Sequence, residues 1–132
     1  IRELREILEL GALRLLIDKI TEEQLAELER ICDDFTTMYH RGYFNGALEA
    51  DVKFHETLIK FSGNKKLSNA YFTSNIPLFH QKIGRSHSPM DDYELTDIEH
   101  RTIVSALREK DFPKAESTLT KHLIRGEVSS QE

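Results

Sequence analysis

The chain has 132 residues, 39% apolar and 31% charged, with 18 Lys and Arg against 23 Asp and Glu for a net charge of -5. That fits one soluble globular domain, excludes collagen-like, low-complexity and disordered classes, and argues against a nucleic-acid surface, which needs clustered positive charge. The single Cys32 cannot close an internal disulfide, no apolar run approaches the ~20 residues that span a bilayer, and no signal peptide is visible, so the expected location is cytoplasmic, away from membranes.

Apolar residues recur at helical spacing throughout, and no stretch alternates as a strand would. The first helix runs from about Ile1 to Asp18 on a stripe of Leu4, Leu8, Ala12, Leu15 and Leu16. Because Ile1 is already inside the pattern, a fragment of a longer chain is expected. Thr21 is a natural N-cap for the second helix, with Gln24 at the capping-box position and Glu22 and Glu23 at the positive helix end. Its inward face reads Leu25, Leu28, Ile31, Cys32, Phe35, Met38 and Tyr39, and Arg41-Gly42 ends it. Asn45 is the expected cap of the third helix, which carries Leu48, Val52, Leu58, Ile59 and Phe61 and stops at Ser62-Gly63-Asn64. The fourth spans about Lys66 to Ile83 with a kink at Pro77, and Gly84 to Asp92 reads as a polar loop. The fifth covers about Glu94 to Lys110 with Leu95, Ile98, Ile103, Val104 and Leu107 inward. The sixth follows the Asp111 cap, tolerates Pro113 in its first turn and frays after about Glu127. Short links between six or seven helices predict an all-α antiparallel bundle.

Four polar residues sit on the apolar faces. Asp51 and His55 are one turn apart on the stripe of Leu48 and Leu58; His100 shares a face with Ile103, Val104 and Leu107; His122 lies beside Leu119 and Leu123. A carboxylate so placed costs several kcal/mol unless compensated. Two arrangements compensate all four residues together. One is a transition-metal site, since neutral imidazoles and one carboxylate suit such ions. The other is a buried hydrogen-bond network. His40 and His87 are expected in solvent, and His80, just after Pro77, faces either the cavity or solvent.

These residues also carry a resemblance. The run Asp51-Val52-Lys53-Phe54-His55-Glu56-Thr57-Leu58 looks like an Asp-x-x-Phe-His-x-x-Leu motif. Phe61-Ser62-Gly63-Asn64-Lys65-Lys66-Leu67 looks like the turn that follows it. Glu99-His100-Arg101-Thr102-Ile103-Val104-Ser105-Ala106-Leu107 looks like Glu-His-x-x-Ile-x-x-Ala-Leu. With the opening Arg2 to Glu9 helix and the closing Asp111, Ala115 and His122-Leu123, nearly the whole chain resembles the C-terminal effector-binding (FCD) domain of the FadR subgroup of GntR-type bacterial transcription regulators. The resemblance implies a divalent metal (Zn in the first place, Ni or Mn as alternatives) on Asp51, His55, His100 and His122, inside a central cavity that takes a small organic-acid or sugar-acid effector. It further implies an effector contact from Arg5. Polar side chains and freed backbone groups flanking the Pro77 kink are expected to line the cavity, Asn75 first, ahead of Ser74 and Gln81, with Arg85 a weaker candidate. A homodimer is implied, and DNA binding only through an N-terminal winged helix-turn-helix domain that these 132 residues do not contain, so residues 1–132 form one effector-binding and dimerisation domain.

Two other functions compete with a ligand-sensing domain. A metal-dependent hydrolase would need a general base beside metal-bound water. Glu56 and Glu99 adjoin ligands in sequence, but neighbours on a helix point about 100° apart, so neither is well placed. A metal-free structural or dimerisation domain would use the four residues as a hydrogen-bond network alone.

Overall fold

The computed structural model describes residues 2–74 and 89–131, and side chains within 3–74 and 92–125. Among the described residues there are six α-helices and no strand: α1 (Arg2–Leu16), α2 (Glu22–His40), α3 (Phe44–Phe61), α4 (Lys65–Thr73), α5 (Pro89–Arg108) and α6 (Phe112–Gln131). None is long and apolar enough to cross a membrane. The pairs α2–α3 and α5–α6 pack side by side and are joined by the short links 41–43 and 109–111, which makes each pair antiparallel. Further contacts join α2 to α5, α6 to α1, and α1 to both α3 and α4.

Local chemistry sets most of the boundaries. Thr21 forms the full capping box with Gln24, the Thr21 hydroxyl accepting from the Gln24 backbone and the Gln24 side chain accepting from the Thr21 backbone. Gly42 and Gly63 end α2 and α3 at φ of 78° and 71°, left-handed values that suit glycine. Asn64 then caps α4 by accepting from the Leu67 backbone at 3.0 Å, and Asp111 caps α6 by accepting from Lys114 at 3.2 Å.

Several expected boundaries move. Asn45 is not the cap of α3. The helix begins at Phe44 after Tyr43, which makes no side-chain cap bond; ring packing fixes this end, because Phe44 stacks on Tyr93 with centroids 5.0 Å apart. Helix α5 is described from Pro89, so the end of the expected Gly84 to Asp92 loop, residues 89–92, is helical. It stops at Arg108 rather than Lys110, which takes a positive φ of 60° while its Nζ donates to the Ile17 carbonyl at 2.7 Å. Helix α6 continues to Gln131, past Glu127. Helix α4 is described to Thr73; the expected continuation to Ile83, the Pro77 kink and His80 and His87 lie outside the described residues.

The main core joins Leu13 and Leu16 of α1, Leu25 and Leu28 of α2, Leu58 of α3, Ile103 and Leu107 of α5, and Leu119 and Leu123 of α6. A second cluster of Phe35, Tyr39, Ala47, Ala50 and Tyr93 closes the other end of α2, α3 and α5. Two inward faces differ from expectation. On α1, Leu4 and Leu15 are exposed while Arg5 and Glu9 are buried with Ala12, Leu13 and Leu16. On α5, Leu95 and Ile98 are exposed, and Tyr93, Thr96, Asp97 and His100 take the buried positions above Ile103 and Leu107. Asp97 is compensated there, accepting from the Thr36 hydroxyl at 2.9 Å and from Arg101 Nε at 3.1 Å.

Candidate metal centre

Three helices bring four side chains to one point between the two core clusters. Asp51 and His55 come from successive turns of α3, His100 from α5 and His122 from α6, and all four are at most 1% exposed. One donor atom from each lies within 4.8 Å of the others. Asp51 Oδ1 is 2.8 Å from His100 Nε2, 3.3 Å from His55 Nε2 and 4.0 Å from His122 Nε2, and the His55 and His122 Nε2 atoms are 3.0 Å apart. Donors held ~2.0–2.2 Å from one ion are separated by about 3–4 Å, so these edges fit a single first-row metal. His40 is exposed and belongs to no such cluster among the described residues.

The ring nitrogens facing away from this point explain why Nε2 is the inward atom. His55 Nδ1 is 2.5 Å from Glu9 Oε1, and His122 Nδ1 is 2.8 Å from Glu99 Oε1. A carboxylate accepts, so each Nδ1 carries the proton and donates. The two Nε2 lone pairs then point at one another across 3.0 Å, which is repulsive unless a cation lies between them. Without metal that cation is a proton, and its placement is legible. Burial pulls the His55 imidazolium down, but the Glu9 charge and the hydrogen bonds His55 donates to Asp51 and Glu9 outweigh it and raise its pKa to about 8. Burial wins at His122, lowered to about 4, and at His100, also lowered. His55 therefore holds the shared proton and the other two rings are neutral. A metal ion fits by taking that proton's place.

His100 is oriented differently. Its ring stacks on Phe54 at 4.2 Å and meets the edge of Phe35 at 5.3 Å, while its Nδ1 has no hydrogen-bond partner among the described residues. Aromatic packing thus aims Nε2 at Asp51.

Glu9 and Glu99 escaped the sequence reading as parts of this centre. Glu9 is fully buried on α1; Arg5 Nε donates to its Oε2 at 2.7 Å and the Tyr71 hydroxyl donates to the same oxygen at 3.2 Å. Arg5 is thus neither exposed nor at a surface pair, being 2% accessible. Glu99 accepts from His122 and from Arg125, whose guanidinium also donates to the Thr96 hydroxyl at 2.9 Å. Burial works against the Glu99 charge, yet the hydrogen bonds from His122 and Arg125 hold its carboxyl below the ordinary value. The signal available in sequence was geometric: Arg5, Glu9 and Ala12–Leu13 lie on the stripe that ends at Leu16, and that stripe, not the Leu4 one, faces inward. Of the proposed effector contacts, Ser74 caps the end of α4; Asn75, Gln81 and Arg85 lie outside the described residues.

Cys32 is buried, and burial pushes its thiol up to about 12, which makes it an inert core group.

Comparison with known proteins bears on the family and the fold. The family model described as "FCD domain" matches residues 1–125. A protein of Bacillus subtilis (strain 168) titled "Uncharacterized HTH-type transcriptional regulator YcbG" is 32% identical over 121 residues, covering 92% of this chain and 49% of that protein. The chain thus spans about half the length of this relative. The solved structure titled "Streptococcus agalactiae GntR" superposes with a TM-score of 0.74 at 29% identity, covering 99% of this chain and 57% of that one.

Proposed function

This chain belongs to the FCD domain family, and on that premise we propose that it is the ligand-sensing regulatory domain of a GntR-type transcription regulator, not an enzyme. We propose further that Asp51, His55, His100 and His122 hold one divalent transition metal, with Zn first and Ni or Mn as alternatives, and that the site senses a small organic or sugar acid. The observation that supports this reading is the pair of imidazole Nε2 atoms facing each other at 3.0 Å beside a buried carboxylate, an array that a bound cation would satisfy.

A bound divalent ion supplies a positive centre to which an anionic carboxylate can attach. The chain's own residues do the rest. Phe54 and Phe35 fix the His100 ring, and burial excludes bulk water from all four ligands. Arg5 stands one residue beyond this array on α1, its Nε committed to Glu9, and its guanidinium is the proposed second contact for the effector anion, with Asn75 as the other. Glu99 is engaged by His122 and Arg125, so it is not a free base for hydrolysis. Because the ligands come from α3, α5 and α6, an effector that binds one arrangement of these helices better shifts the population toward it. In the full-length regulator, a homodimer in this proposal, α1 would pass that shift to an N-terminal DNA-binding domain.

The test is elemental analysis of the protein purified without added metal, before and after chelation, beside Asp51→Ala. About one ion per chain, absent from the variant, is expected of a four-ligand site that loses one ligand. A wild-type protein that takes up neither Zn nor Ni when offered them would leave only the hydrogen-bond network.

A further inference from the structure

Behind two of the three metal-facing imidazole rings stands a buried or half-buried carboxylate, and behind each carboxylate stands an arginine. On one side the order is Arg5, Glu9, His55: Arg5 Nε donates to Glu9 Oε2 at 2.7 Å, and His55 Nδ1 donates to Glu9 Oε1 at 2.5 Å. On the other it is Arg125, Glu99, His122, with Arg125 and His122 Nδ1 both donating to Glu99 Oε1. The two arrangements come from unrelated stretches of chain, Glu9 from α1 and Glu99 from α5, yet each fixes a ring so that Nε2 points to the same spot.

We propose that Glu9 and Glu99 are the positioning residues of the metal centre, which hold His55 and His122 as Nδ1–H tautomers and so select Nε2 as the ligating atom. The inference rests on the metal reading above and concerns residues outside the four ligands. A carboxylate that accepts from the far ring nitrogen fixes the ring's rotation, excludes the tautomer whose Nε2 is blocked by a proton, and makes the ligating nitrogen more basic. The arginines keep each carboxylate in place and charged opposite. Tyr71 adds a donor from α4 to Glu9, so α1, α3 and α4 meet on one carboxylate. Since Glu9 stands on α1, whatever affinity it adds for the metal is returned as tighter docking of α1 when metal binds. His100 has no such carboxylate among the described residues and relies on Phe54 and Phe35 instead.

The experiment measures Zn affinity by competition with a chromophoric chelator for wild type, Glu9→Gln, Glu99→Gln and Glu56→Gln. Glutamine nearly preserves shape while removing the charge. Glu56 adjoins His55 in sequence and takes no part in either arrangement, so it is the control. Glu9→Gln and Glu99→Gln should each weaken Zn binding about 10–100-fold, with Glu56→Gln unchanged. Histidine-ring nitrogen NMR of the Zn-loaded wild type should show Nδ1–H with Nε2 bound to metal at both His55 and His122. If one buried variant fails to fold, the other variant and the wild-type spectrum still decide. Metal on Nδ1 of either ring, or wild-type affinity in both variants, overturns the inference while leaving the metal site standing. A wild type that takes up no Zn overturns the metal reading itself.

Discussion

At the level of single residues, the proposed metal centre sets a proton and a metal ion in competition for one place. His55, raised to about 8, holds the proton in the metal-free protein, while His122, lowered to about 4, and His100 are neutral. Metal binding must expel the His55 proton, so Zn affinity should fall about tenfold for each pH unit below about 8 and level off above it. The same shifts give the metal-free protein a stability optimum. The raised His55 contributes stability that is complete below its ordinary 6.5 and is lost as pH rises through about 8. The lowered His122 acts oppositely: the unfolded chain binds more protons there, so stability falls as pH drops from 6.5 toward about 4. Denaturant melts of chelated protein should therefore be most stable near pH 6.5, and a Zn affinity flat between about pH 6 and 8 would show that no proton is displaced. Asp51, His55, His100 and His122 were legible in sequence because each interrupts an apolar stripe. Glu9 was not, because Arg5 and Glu9 at i,i+4 look the same on paper as a surface ion pair. Only packing against α3 and α4 turns that pair inward.

At the level of helices, the ends that local chemistry controls were readable and the ends that tertiary packing controls were not. The Thr21 and Gln24 capping box and the Gly63 stop depend on a few adjacent residues, and they stand where the pattern puts them. The start of α3 depends on Phe44 stacking on Tyr93, which is some fifty positions along the chain and invisible to a local pattern. The inward face of α5 misled for a related reason. Apolar residues are free to lie at the surface, so Leu95 and Ile98 announce nothing by being apolar, whereas buried Thr96, Asp97 and His100 do. This division between helices makes a specific expectation. Helix α2 supplies no metal-facing residue, so Thr21→Ala should cost about 1 kcal/mol through its lost cap and leave Zn affinity unchanged. A loss of affinity beyond about twofold would mean that α2 holds α3 in register for the metal more tightly than its contacts suggest.

At the level of the whole molecule, the metal would be the one bond that joins α3, α5 and α6 at a point where the apolar core is interrupted. An ion that binds only the folded chain stabilises it in proportion to the logarithm of its excess over Kd, about 4 kcal/mol at a thousandfold excess. For a domain of this size each kcal/mol moves the melting temperature by about 3–5 °C. Chelation should therefore lower Tm by roughly 12–20 °C in the wild type and hardly at all in Asp51→Ala, which has already lost the ion. The effector reading adds a condition to this. If a small carboxylate docks on the metal, its own stabilising increment exists only while the metal is present. A panel of hydroxy and sugar acids should then raise Tm of the Zn-loaded protein and do nothing to the chelated one. Equal shifts in both forms would move the anion site away from the metal and onto Arg5, and the ion would then serve only to tie the helices together.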